Sequence, residues 1–137
     1  MATFQLRLVT PDAELFSGPV LSVRLPGSMG SFGVRAGHAP LMSALTVGSI
    51  VVTHENGDTE LIASSGGFVE VSRAGVTVLA DAAERGKDID ISRAEQAIGR
   101  ARAQLESGEA VDYDTARAAL DRAMNRLKVA QQASDDR

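Results

Sequence analysis

The chain has 137 residues, 44% of them hydrophobic, with 18 acidic and 14 basic groups and a formal charge of −4. This length allows one ordinary domain or a small domain with an appendage, and the charge gives no bulk attraction to nucleic acid or anionic lipid. The absence of Cys and the presence of only two His exclude disulfides, thiolate metal sites and a His-rich metal centre.

One Tyr, four Phe and no Trp require a largely aliphatic core. No run approaches the ~18 apolar residues of a membrane span. Alternation begins directly after Met1-Ala2-Thr3, so neither a signal nor a transit peptide is expected, and the protein should stay where it is made.

The first 85 residues read as β. Phe4, Leu6 and Leu8 alternate with Thr3, Gln5 and Arg7, and Thr10-Pro11-Asp12 signals a turn. A second strand, Val20–Leu25, is closed by Pro26-Gly27. From Gly27 to Leu41, four glycines and a proline rule out a helix interior and predict successive tight turns at one exposed end. The spacing of Gly27, Gly30 and Gly33 matches neither a dinucleotide fingerprint nor a Walker loop. Gly48 opens a strand over Ser49–His54, and Asn56-Gly57 predicts a type I′ hairpin returning through Glu60–Ser64. Phe68–Val71, a turn at Arg73-Ala74-Gly75, and Val76–Ala80 make another hairpin. Short strands at this spacing predict a two-sheet β-sandwich or flattened barrel over residues 1–85.

Composition changes at Arg85-Gly86. All four prolines and ten of thirteen glycines lie before it, and eleven alanines follow it. Residues 86–137 read as an antiparallel two-helix hairpin. The first apolar stripe is Ile91, Ala94, Ile98, Ala101 and Leu105, with Asp90 or a Ser92–Glu95 capping box at its start. Ser107-Gly108-Glu109 breaks it. Asp112 or Asp114 caps a second helix striped by Ala116, Leu120, Ala123, Leu127 and Ala130. Alanine stripes bury little area, and isolated helices of this length are marginal in water, so the hairpin should be the detachable part.

Several motifs, in this order and spacing, carry a resemblance that spans nearly the whole chain. They are Val9-Thr10-Pro11, Gly33-Val34-x-x-Gly37-His38-Ala39-Pro40-Leu41, Ser65-Gly66-Gly67-Phe68-Val69-Glu70-Val71, Val76–Asp81 and Arg122-Ala123-Met124-Asn125-Arg126-Leu127. The chain resembles the epsilon subunit of a bacterial-type F-type ATP synthase, with a ten-strand-like β body and a helical hairpin. The resemblance implies a non-catalytic rotor subunit of the central stalk, at the cytoplasmic face of the inner membrane and peripheral to it. Its β body would bind the gamma subunit and sit on the c-ring. The ring-facing loop would be Ser28, Met29, Ser31, Phe32, Arg35 and His38. Relatives often carry an acidic residue at the place of Ser31 and a proline at that of Ala36, which leaves Arg35 as the charged group of this loop. An extended hairpin would brake hydrolysis by reaching the catalytic head through Arg122, Arg126 and Lys128.

Ile89-Asp90-x-x-Arg93-Ala94 also resembles the motif of family members that bind ATP in a folded hairpin. That implies a weak regulatory ATP site of Ile89, Asp90, Arg93, Ala94, Arg100, Arg122 and Arg126, with no cofactor required. Thr115 stands where nucleotide-binding relatives carry an arginine. The plain reading of the same residues is a capping Asp and solvated arginines. His38 is expected to satisfy a local backbone group and His54 to be solvated. Met29 and Phe32 are read as exposed contact residues, with Phe32 folding back to plug the sheet end as an equal alternative. The other function class is a free-standing β-sandwich binding module with a helical dimerisation tail. An enzyme is disfavoured, because no Ser/His/Asp or Cys/His set exists and neither His has a paired carboxylate evident in sequence.

Overall fold

The computed structural model describes residues 2–108 and 112–135 and divides into two compact units, Met1–Arg85 and Gly86–Arg137. Alternating apolar residues in the first unit form β1 (Phe4–Val9), β2 (Glu14–Gly27), β3 (Gly30–Arg35), β4 (Leu41–His54), β5 (Thr59–Ser72), β6 (Gly75–Ala80) and β7 (Ala83–Arg85). β1 pairs antiparallel with β2 on one edge and parallel with β6 on the other. With β6–β5, β5–β4 and β4–β2 added, five strands close into a flattened barrel. Closure removes the free edges of β1 and β6 that an open sheet would have to protect, and leaves β3 and β7 each paired on one side. Leu6, Leu8, Val20, Val23, Leu25, Ile50, Val52, Ile62, Val69 and Val78 fill the interior and are almost fully buried.

The described residues hold seven strands, not a body of about ten short ones. β4 begins at Leu41 rather than after Gly48, and the segments expected at Glu60–Ser64 and Phe68–Val71 are one strand. The reason is that β2 and β5 each serve two partners along one edge. β2 meets β1 through Glu14–Val20 and β3 through Ser22–Gly27, while β5 meets β7 through Ile62–Ser64 and β6 through Gly67–Ser72. Gly66 and Gly67 sit at that changeover with φ of 112° and 133°. A Cβ at Gly67 would collide with the carbonyl oxygen of Leu79, so only glycine fits. Glycine bends this strand instead of ending it.

Two turn expectations also change. The glycine-rich stretch does turn at Ser28-Met29 and at Ala36-Gly37, but between them β3 pairs with β2 from Gly27↔Gly30 to Ser22↔Arg35. At Asn56-Gly57 only Gly57 has positive φ, so the turn is not type I′. The loop Glu55–Gly57 is closed by the Gly57 N–H donating to the His54 carbonyl (2.9 Å) and the His54 N–H donating to that of Asp58 (2.8 Å). Asn56 Oδ1 accepts from the Asp58 N–H at 2.9 Å, which holds Asn56 at negative φ and leaves the left-handed position to glycine.

The second unit holds a short 3-10 turn (Gly86–Asp88), α1 (Ile91–Ser107) and α2 (Tyr113–Asp135). Asp90, not Ser92, caps α1 by accepting from the Arg93 N–H at 3.1 Å, and Gly108 ends it at φ 64°. Glu109 of the expected break lies outside the described residues. Asp112 rather than Asp114 caps α2, accepting from the Asp114 N–H (3.0 Å), the Thr115 N–H (3.4 Å) and the Thr115 hydroxyl (2.9 Å). That hydroxyl first, then the two N–H groups, hold the Asp112 carboxyl below its ordinary range. Ile98 and Ala101 pack against Leu120 and Ala123, flanked by Leu105 and Leu127. Ile91 is exposed, so the stripe of α1 starts at Ala94, while Ile89 before the cap is buried.

Candidate functional site

The barrel carries its exposed apolar groups in register. Ala44 of β4 lies opposite Phe68 of β5, and Phe68 lies opposite Leu79 of β6. One row along, Met42 faces Glu70, which faces Thr77. Directly paired residues share a face, and their inward neighbours Val69, Val71, Val76 and Val78 are buried, so these two rows stand on the outside of the sheet. Met42 is 72% exposed, Phe68 59% and Leu79 55%. The Ser28-Met29 turn is tied to the same region by the Ser28 N–H donating to the Ala44 carbonyl at 2.9 Å, and Met29 is 98% exposed. Large apolar groups clustered on a strand-built face mark a contact surface. Sequence reasoning missed Met42, Phe68 and Leu79 as a set, although the alternation Phe68-Val69-Glu70-Val71 shows which face each residue takes.

The loop residues separate by role. Ser28, Met29, Ser31, Arg35 and His38 are exposed, whereas Phe32 is half-buried and packs on the barrel core. Its ring occupies the space a side chain at Gly27 would need, the nearest ring carbon lying 2.8 Å from where that Cβ would stand. Phe32 therefore plugs the sheet and is not a free contact group. The Nδ1 of His38 lies 2.7 Å from the Ala39 carbonyl, and its backbone N–H donates to the Arg35 carbonyl at 3.1 Å.

His54 is not solvated. Its Nε2 donates to Glu60 Oε1 at 2.9 Å, and its ring meets Phe16 edge-on with centroids 5.2 Å apart. Glu60 Oε2 accepts from Arg85 Nη1 at 2.9 Å, and Arg85 Nη2 donates to the Leu15 carbonyl at 2.7 Å. The hairpin brings His54 and Glu60 together across the Thr53↔Thr59 pair. This half-buried clamp ties β2, β4, β5 and β7 where the barrel chain ends. It supplies no nucleophile, and both carboxylate oxygens of Glu60 are engaged.

In the hairpin, Asp90 uses its carboxylate on the α1 cap. Arg93 and Arg100 lie on one flank of α1, away from Glu95, Gly99 and Arg102 at 100° per residue. Glu95, Gly99 and Arg102 line an open groove with Met124, Lys128 and Gln131 of α2. That groove joins the start of α1 to the end of α2, so the helices run antiparallel. Arg122 and Arg126 accordingly share the flank of Arg93 and Arg100, while Ile89 and Ala94 are buried. Thr115 is engaged in the Asp112 cap. Among the described residues no group of three or more His, Asp or Glu side chains is placed to hold a metal ion, and no helix is long and apolar enough to cross a membrane.

A closed barrel with an outward apolar face, followed by an alanine-lined helical hairpin, defines a class of two-unit chain. Residues 3–86 match the family model for the beta-sandwich domain of the ATP synthase delta/epsilon chain, and residues 87–131 match that for its long alpha-helix domain. Similar relatives include the ATP synthase epsilon chain of Bacillus pumilus, 42% identical over 95% of this chain and 98% of that one. That of Nitratidesulfovibrio vulgaris is 47% identical over 93% and 95%. The fold also aligns with a chain of the Euglena gracilis mitochondrial ATP synthase OSCP/F1/c-ring structure, with a TM-score of 0.82, 27% identity, and 96% and 82% coverage. A chain of the Tetrahymena thermophila mitochondrial central stalk/c-ring structure shares the fold at a TM-score of 0.57 and 16% identity, with 96% of each chain covered. The chain belongs to the delta/epsilon chain family of ATP synthase, and the two relatives named above are bacterial epsilon chains.

Proposed function

We propose that this chain is a non-catalytic rotor subunit that couples the gamma subunit to the membrane c-ring during proton-driven ATP synthesis, peripheral to the cytoplasmic face of the inner membrane. The observation that carries this reading is the registered apolar face of Met42, Ala44, Phe68 and Leu79, beside the exposed Ser28-Met29 turn. A stiff closed barrel suits torque transmission, because its strands cannot slide without breaking ladders on both edges. The sheet face is assigned to gamma and the glycine-rich loop to the ring. Family membership removes the ground for a free-standing binding module.

The test is capture from detergent-solubilised membranes. The intact chain should bring down gamma and c subunits, and Phe68→Asp with Leu79→Asp should lose gamma at least tenfold while the barrel still unfolds cooperatively. Retention of gamma by that variant would overturn the assignment of the face. The hairpin is assigned a regulatory role as a brake on ATP hydrolysis, reaching the catalytic head through Arg122, Arg126 and Lys128 when extended. Deleting residues 86–137 should leave synthesis largely intact and raise hydrolysis. ATP, as a weak regulatory ligand on the Arg93, Arg100, Arg122 and Arg126 flank, would stabilise the hairpin by only about 0.4 kcal/mol at a concentration equal to its Kd. Unchanged hydrogen exchange in the hairpin at millimolar ATP would remove that ligand.

A further inference from the structure

The barrel has a concave feature whose lining includes none of Met42, Phe68 and Leu79. A recess of about 390 Å³ opens between the β3–β4 turn, the β5–β6 turn and the start of β1. Phe4, Val34, Val71 and Val76 are its apolar lining, and exposed Arg35 at the end of β3 and Arg73 on the β5–β6 turn line it too. None of its lining residues is acidic, in a chain whose formal charge is −4. Two arginines lining one recess with an apolar floor are therefore a local reversal of the chain's charge. His38 forms part of the wall, and its Nδ1 faces the Ala39 carbonyl at 2.7 Å. A carbonyl only accepts, so Nδ1 donates in this bond, and the two arginines supply permanent positive charge to the lining.

We propose that this recess receives a carboxylate side chain of the ring subunit, its methylenes on the apolar floor and its oxygens held by Arg35 and Arg73. The proposal rests on reading the Arg35–His38 turn as ring-facing and names the chemistry of that contact. Guanidinium groups hold carboxylates by paired, charge-assisted hydrogen bonds, and a partly enclosed site screens them less than open surface does. The apolar floor favours the aliphatic stem of an acidic side chain over a free inorganic anion.

The test uses the assembled complex in native membranes. Arg35→Lys and Arg73→Lys keep the charge and introduce an amine, which a zero-length carbodiimide joins only to a carboxylate in direct contact. The expected result is a cross-link from either position to an Asp or Glu of the ring subunit, mapped by peptide mass spectrometry. Arg35→Glu with Arg73→Glu should lower retention on the ring at least tenfold, while the two lysine variants, which keep the charge but lose the paired hydrogen bonds, should lose clearly less. If the chain stays on the ring but neither position cross-links to it, or if charge reversal leaves retention unchanged, the carboxylate contact is wrong and the ring-facing reading survives. If the parent chain itself fails to co-purify with the ring, the reading beneath the proposal falls with it. Urea unfolding of the charge-reversed chain separates lost binding from lost fold.

Discussion

The barrel and the hairpin solve the problem of burial in opposite ways. In the barrel, Leu6, Leu8, Leu25, Ile50 and Ile62 are sealed among β-branched neighbours, and β1 locks the ring through a parallel pair linking Leu6 to Val76. In the hairpin, the contact between helices is made by Ile98, Ala101, Leu120 and Ala123. A fully buried Leu or Ile contributes roughly 1.5–3 kcal/mol, and an alanine methyl far less. The barrel is thus a body whose parts fail together, and the hairpin a pair of helices with little holding them. The function proposed above, torque through the barrel and regulation through the hairpin, needs this inequality, because an element that moves must come from the low-stability end.

The comparison breaks most sharply at Gly67. Gly67→Ala places a methyl against the Leu79 carbonyl at a positive φ, and the barrel should lose about 3 kcal/mol or more in urea unfolding. A loss below about 1 kcal/mol would show that β5 can straighten at its changeover. Leu8→Ala should cost about 2–5 kcal/mol of global stability, whereas Leu120→Ala should speed hydrogen exchange in α1 and α2 and leave the barrel amides protected. Equal effects on both units would erase the distinction. At the clamp, Glu60→Gln should cost about 1 kcal/mol after allowing for the partial exposure of His54 and Arg85. A double-mutant cycle with Arg85→Ala should show coupling.

The smallest effect is the pH response of the α2 cap. The folded Asp112 carboxyl lies below its unfolded value of 3.8, so its ionised form is favoured by the fold. Its contribution is complete above that value and is lost as pH falls through the lowered folded one. Circular dichroism should report loss of α2 helicity in that acid range, and Thr115→Ala should narrow the shift, since the hydroxyl is its largest cause.

Much of this molecule was legible in the chain because its signals are local. Alternation at Phe4-Leu6-Leu8 and Val76–Ala80 marks half-buried strands, and steps of three and four through Ala94, Ile98 and Ala101 mark a helix face. Asp90, Gly108 and Asp112 cap by contacts within three residues, so they too were readable, although only hydrogen-bond geometry chose Asp90 over Ser92 and Asp112 over Asp114. The hairpins β4–β5 and β5–β6 were readable too, and what escaped were the features made by pairing across several strands at once. β5 runs unbroken past Gly66 and Gly67 because β7 and β6 succeed each other on its edge. Glu60 reaches His54 across one ladder and Arg85, 25 positions further along the chain, across another. Arg35 and Arg73 line one recess, and Phe68 and Leu79 share one face, only because the register puts them there. Short-range periodicity decides which way each side chain points, but closure of the ring decides which side chains stand together, and that pairing depends on long-range burial that no local window contains.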